Sequence, residues 1–183
     1  MRSLIYALLL FISAVIPTII FGQENIKSVT VCEVLANPKK ISGTPVAIVG
    51  RLDCLDLIIE HPCWLVEDNC TRPFISNGFT FPNKIWIEFV FPATPKSNVE
   101  INASTLSDNL SVLRKSTKLG THRVMLLKNK DGVLVFEKWS DQPDEWGVAY
   151  GRIVITKGLQ HYSGAGVALK INPNDLRSIK NDE

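Results

Sequence analysis

Four cysteines, Cys32, Cys54, Cys63 and Cys70, crowd into a short stretch of this 183-residue chain. What they can do depends on the compartment. The chain opens with Met1 and Arg2, then an apolar run from Leu4 to Ile16, then Pro17 and a short segment ending at Gly22. A positive start, an apolar core and a helix breaker before a small residue make an export signal. Cleavage is expected after Gly22, leaving Gln23 as the new terminus. No cysteine lies near that cut, so no lipid anchor is expected. The competing reading is an uncleaved anchor, because Leu4 to Phe21 approaches the roughly 20 residues that span a bilayer. Pro17 and the weak flanking charge favour cleavage. Export carries the chain to a secreted or periplasmic setting, where thiols pair.

Four cysteines allow three pairings. Cys54 ends one β-like run and Cys63 begins the next, so a cross-strand bridge is easy if the side chains share a face. Cys32 then pairs with Cys70, tying a helical start to a loop. By loop entropy the short bridge is worth roughly 3 kcal/mol and the long one roughly 4 kcal/mol. No C-x-x-C is present, and the spacings match no common zinc site. The cysteines are expected as disulfides, with no metal and no cofactor.

Composition narrows the partners. The formal net charge is +2 at pH 7 and falls by one if Arg2 leaves with the signal. Nucleic-acid binding usually needs a basic face, so nucleic acid is not an expected partner. A domain of about 150 residues buries roughly two thirds of its unfolded surface, enough for a real core. The expected organisation is a signal at 1–22, one domain at 23–175 and a flexible tail at 176–183.

Along the chain, Thr30 can cap a helical turn through Val31, Cys32, Val34 and Leu35, ending before Asn37-Pro38 because proline disfavours helix at the residue before it. Lys39 to Pro45 reads as a turn. Val46 to Leu55 is β-branched and partly alternating, with Gly50 marking a bulge or bend. Trp64 to Glu67 is a second strand, Asp68 to Asn83 a turn-rich stretch, and Lys84 to Phe91 a strongly alternating third strand. Pro92 to Asn102 reads as a loop. Thr105 with Asp108 resembles a capping box, and Leu106, Leu110 and Leu113 give an amphipathic helix over 105–116. Arg123 to Lys128 and Val133 to Lys138 flank a glycine turn and predict a hairpin. Ser140 to Glu145 reads as a loop, and Val148 to Thr156 and Val167 to Ile171 as strands. Val46 to Leu52 echoes Val148 to Ile153: in each, a glycine then an arginine interrupts a strand, as if both bend at the same point.

The runs "TVCEVLANP", "LANPKKISGTPVAIVGRLD", "WLVEDNC", "IWIEF", "YGRIVI" and "GLQHYSGAGVALKI" occur in that order over residues 29–171. The chain resembles small exported, uncharacterised bacterial proteins with an OB-fold-like barrel. That resemblance implies no known activity. It implies recurrence of the cysteines matching Cys32 and Cys70, whereas Cys54 and Cys63 are additional here. Gln160 departs from the glycine that usually precedes the histidine matching His161. The expected fold is mainly β: a small five- to six-stranded OB-like barrel with an N-terminal helical turn and a helix near 105–116. Closure of such a barrel removes exposed edges.

Chemistry-bearing residues are sparse. His61, His122 and His161 have no sequence-local partner, and His161 sits in a glycine-rich turn. Glu60, Glu67, Asp68 and Glu88 could supply carboxylates for acid–base work, though strand positions suit solvated faces better. No nucleophile elbow, P-loop or dinucleotide fingerprint appears. Trp64, Trp86, Trp139 and Trp146 could build an aromatic platform, as OB barrels use for oligonucleotides and oligosaccharides. By strand parity Trp86 lies opposite Ile85, Ile87 and Phe89, making Trp86 and His161 the candidate ligand face. Arg51 and Arg152 follow the strand glycines and can pair with acids. The N-x-S/T triplets at Asn69, Asn102 and Asn109 are read as chance occurrences, given the bacterial resemblance. The expected function is a non-catalytic binding or interaction module in the cell envelope, with an envelope protein or small ligand as partner. Membrane contact is expected only if the signal is uncleaved. The alternative is an envelope hydrolase built from distant carboxylates and His161.

Overall fold

The computed structural model describes residues 24–54, 63–76, 78–131, 133–155 and 166–179. The expected signal, Glu60, His61, Gln160 and His161 lie outside the described residues.

Strands β1 (Glu24–Ile26) and β2 (Ser28–Thr30) lead into helix α1 (Val31–Ala36). Thr30 caps α1 as its sequence requires. The Glu33 N–H donates to Thr30 Oγ1 (3.3 Å), and the Thr30 N–H donates to Glu33 Oε2 (2.7 Å), so each satisfies a backbone donor that the first turn leaves free. The helix ends at Asn37. The expected turn after it is instead a second helical segment, α2 (Pro38–Ile41), because proline suits the first helical position, where no N–H is needed.

Next come β3 (Pro45–Cys54), β4 (Cys63–Val66), β5 (Phe74–Ser76), β6 (Phe79–Phe81), β7 (Lys84–Phe89), β8 (Val99–Ile101) and helix α3 (Ala103–Ser116). The chain continues through β9 (Thr121–Lys130), β10 (Val133–Pro143), β11 (Glu145–Ile155), β12 (Val167–Ile171), a 3₁₀ turn (Pro173–Asp175) and β13 (Leu176–Ile179).

Five strands close a barrel. Around the ring the order is β3, β4, β7, β12, β11 and back to β3, with β7 and β12 parallel and every other pair antiparallel. Numbered along the chain, that is one, two, three, five, four, which makes an OB-like barrel. Two long strands belong to more than one layer. β3 pairs with β2 through Ala47–Val49 and with β4 from Arg51 onward, so Gly50 is the hand-over. β11 pairs with β13 through Trp146–Ala149 and with β12 from Arg152 onward, so Gly151 lies in its hand-over. The sequence echo therefore marks two strands that bend to leave one partner for another.

Strand alternation sorts the core. Val46 and Ile48 join Leu65, Ile85, Ile87, Ile153 and Leu169 inside the barrel, together with Val31, Val34 and Leu35 from α1. The N-terminal helix is thus the one that fills the barrel. Ala47, Val49, Trp146 and Val148 point the other way and pack with Leu110 and Leu113 of α3 in a second cluster outside it.

Several boundaries differ from expectation. The stretch 68–83 holds the β5–β6 hairpin, whose Phe74 and Phe81 are buried in the barrel cluster. β7 stops at Phe89, and the loop expected at 92–102 contains β8, paired with β1. Helix α3 starts earlier than 105, because its cap is Asn102: the Thr105 N–H donates to Asn102 Oδ1 at 2.9 Å. The predicted hairpin runs longer at both ends, and only Asp144 separates β10 from β11. The flexible tail expected over 176–183 is not flexible at its start, since Leu176–Ile179 pair with β11 and Ile179 is buried; residues 180–183 lie outside the described residues.

Candidate functional site

The cysteines form Cys32–Cys70 and Cys54–Cys63 bridges. Cys54 and Cys63 stand directly opposite each other in the β3–β4 ladder, which is why the short bridge forms. The Cys32 N–H also donates to Glu67 Oε2 at 2.8 Å. Cys32, Glu67 and Cys70 converge in one place, but the sulfurs are joined to each other and offer no thiolate to a metal. The cluster fastens the start of α1 to the end of β4.

The outer face of the barrel is built by parity. Cys63, Leu65, Ile85, Ile87, Val167, Leu169 and Ile171 face the interior. That leaves Trp64, Lys84, Trp86, Glu88, Ala168 and Lys170 on the other side of β4, β7 and β12. Register aligns them into rows. The central row reads Asp53, Trp64, Trp86, Ala168, Val154 across the five strands of the barrel. Beside it run Glu88, Lys170 and Arg152 on one flank, and Arg51, Val66 and Lys84 on the other.

Trp64 and Trp86 are therefore a direct cross-strand pair. Trp64 is only 5 % exposed, while Trp86 is half-buried. The Lys84 ammonium sits 4.6 Å from the centre of the Trp64 ring, a cation–π contact. Ala168, beside Trp86 in the row, is small and fully buried. Lys170 Nζ is 3.2 Å from Glu88 Oε1. Both are partly exposed, so this pair orders the face more than it stabilises the fold. Arg152 donates from Nη1 to the Gly43 carbonyl at 2.8 Å.

Past Lys170 and Arg152 the face opens into a groove of about 490 Å³. Tyr150, Val90 and Pro92 supply apolar wall, and Asn172 lies at one end. The Asn172 amide donates to the Thr94 carbonyl (2.8 Å) and the Pro95 carbonyl (3.0 Å), which ties the loop after β7 to the end of β12.

Of the residues singled out in the sequence, Trp86 lies on this face. His161 lies outside the described residues. Among the described residues the candidate carboxylates are engaged separately. Glu67 is buried on Cys32, Asp68 accepts from Arg51 Nη2 at 3.2 Å, and Glu88 pairs with Lys170. Arg51 also reaches Asp144, at 3.3 Å. The other tryptophans divide sharply: Trp146 is 2 % exposed under α3, and Trp139 is 50 % exposed on β10. Trp139 was not distinguishable from its fellows in sequence. The tryptophan pair was legible only as two strands with a tryptophan each, because cross-strand register is not written locally. The side-chain amides of Asn69 and Asn109 donate to Ser116 O and to Ser28 O.

Comparison with protein-family models, with curated proteins and with solved structures finds no match.

Proposed function

We propose that this chain is an exported, disulfide-bonded binding module of the cell envelope, akin to the small bacterial OB-like barrels it resembles, and that its ligand lies along the Trp64–Trp86 row. The observation that carries this reading is the row itself: two tryptophans in direct register, Trp64 buried and Trp86 partly exposed, between charged flanks. OB-type barrels use the outer face of their second and third strands for extended ligands, and here those strands are β4 and β7. The charges of the rim are mixed, with Lys170 opposite Glu88, and the chain as a whole carries only +2. A nucleic-acid groove would need uncompensated cations along the backbone path. A partly exposed tryptophan with a two-signed polar rim suits a glycan chain, whose sugar rings have apolar faces and hydroxyl edges. Two disulfides fit the envelope setting.

The test is a tryptophan-fluorescence titration of the exported form with N-acetylglucosamine oligomers and, separately, with single-stranded oligothymidine. The expected result is a saturable response to the saccharide that Trp86→Ala removes and Trp139→Ala keeps. A saccharide response that survives Trp86→Ala, or binding of oligothymidine alone, overturns the reading.

A further inference from the structure

β9 and β10 form an arm. Among the described residues they pair with each other and with no other strand. Eleven residues of β10 at about 3.3 Å each give a ribbon roughly 35 Å long. Its root is clamped to the barrel. The Gly120 N–H donates to Asp144 Oδ2 (2.9 Å), the Asp144 N–H donates to the Gly120 carbonyl (3.0 Å), and Asp144 meets Arg51 (3.3 Å). The direction of the arm is therefore set, while its length is left without a neighbouring strand. A two-stranded ribbon alone in water is marginal, and an open edge is a template for another strand.

The aromatic side chains of β10 are exposed: Phe136 by 54 % and Trp139 by 50 %. Simple alternation would send them to opposite faces. A bulge intervenes, since Phe136 pairs with Leu127 and Lys138 with Leu126, leaving Glu137 as the extra residue. The extra residue restores one face to both rings, whose centres are 5.9 Å apart.

We infer that β10 pairs edge to edge, antiparallel, with β10 of a second copy of this chain. A twofold axis makes each contact occur twice. In one register Phe136 stands opposite Trp139 of the second copy, and Glu137 stands opposite its Lys138. The two rings then meet, and Glu137 and Lys138 meet across the axis, while Asp141 keeps its partner Arg123 on β9. Moving the axis half a residue either way sets Glu137 against Glu137 or Lys138 against Lys138, and like charges directly opposed destabilise a strand pair. The charge order Glu137-Lys138 is thus self-complementary in the same register that stacks the aromatics. This surface is separate from the Trp64–Trp86 face, and either assignment can fail alone.

Sedimentation velocity of the purified exported chain, disulfides intact, over a concentration series tests the pairing. The expected result is a concentration-dependent dimer. Glu137→Lys and Lys138→Glu should each weaken it at least about tenfold by opposing like charges, and the double exchange should restore it. Circular dichroism of each variant confirms that the barrel is folded. A chain that stays monomeric throughout overturns the inference. So does a dimer that the single charge changes leave untouched, or a double exchange that fails to restore it. A monomer that floats with anionic phospholipid vesicles through Phe136 and Trp139 would also overturn it, assigning the rings to a lipid surface.

Discussion

A β-carbon placed on Gly151 would stand 2.2 Å from the carbonyl oxygen of Lys170 and 2.5 Å from Ile171 Cγ2. Main chain occupies the space, so no rotamer change can relieve the contact. Gly151 lies where β11 leaves β13 for β12, and the closeness of the two backbones lets the barrel close. Gly151→Ala should lower stability by about 3 kcal/mol, read as a fall in the urea midpoint at unchanged slope. At Gly50 the nearest atom, at 3.0 Å, is the Val31 methyl Cγ2, with the Val66 carbonyl at 3.1 Å. A methyl can yield a little, so Gly50→Ala should cost less than Gly151→Ala.

The two bridges should contribute unequally. Cys32–Cys70 closes a separation of 38 residues and Cys54–Cys63 one of 9. Replacing the first pair by alanine should cost about 4 kcal/mol, and replacing the second about 3 kcal/mol. The difference should widen in the native state, because the long bridge anchors α1, whose Val31, Val34 and Leu35 fill the barrel. Chemical denaturation of the two double variants measures both.

Arg51 and Asp144 join the barrel to the root of the arm. Their side chains are largely buried. Asp144→Ala removes the Arg51 partner and the acceptor of the Gly120 N–H together. The expected loss is about 3 kcal/mol, near the lower end for breaking a buried pair, because Arg51 keeps Asp68. Amide hydrogen exchange should rise in β9 and β10 before it rises in the barrel.

Trp146 and Trp86 should separate stability from surface. Trp146 is enclosed by Val49, Leu110, Leu113 and Val148 in the cluster beneath α3, so Trp146→Ala should cost about 4 kcal/mol. Trp86→Ala removes a half-buried ring from the outer face and should cost about 1–2 kcal/mol. Thermal unfolding of the two variants checks the ordering. A folded Trp86→Ala chain is also what the ligand titration requires.

Capping of α3 offers a finer test. Asn102→Ala removes the acceptor of the Thr105 N–H and should cost about 1 kcal/mol. Denaturant titration reads the loss.

The same residues show what was readable beforehand. β7 was plain because its apolar and polar residues alternate, and the Thr30–Glu33 box because both partners lie within one turn. The cap of α3 lies three residues before the one its sequence suggests: Thr105-x-x-Asp108 imitates a capping box, while Asn102 performs the task. The β5–β6 hairpin is not legible in the sequence because three-residue strands carry too little periodicity against Pro73, Gly78 and Pro82. The aromatic face was half visible, since parity turned Trp86 outward but could not place Trp64 across from it.

What the sequence alone determined is local: where strands alternate, where a helix is capped, where a glycine lets a strand bend, and that four cysteines after an export-like segment should pair. These depend on neighbours within a few positions. The closure of β11 onto β3, the Trp64–Trp86 register, the enclosure of Trp146 and the exposure of Trp139 were decided by tertiary structure. Each depends on which strand arrives alongside which, and in the arm a single extra residue, Glu137, decides which face its rings share.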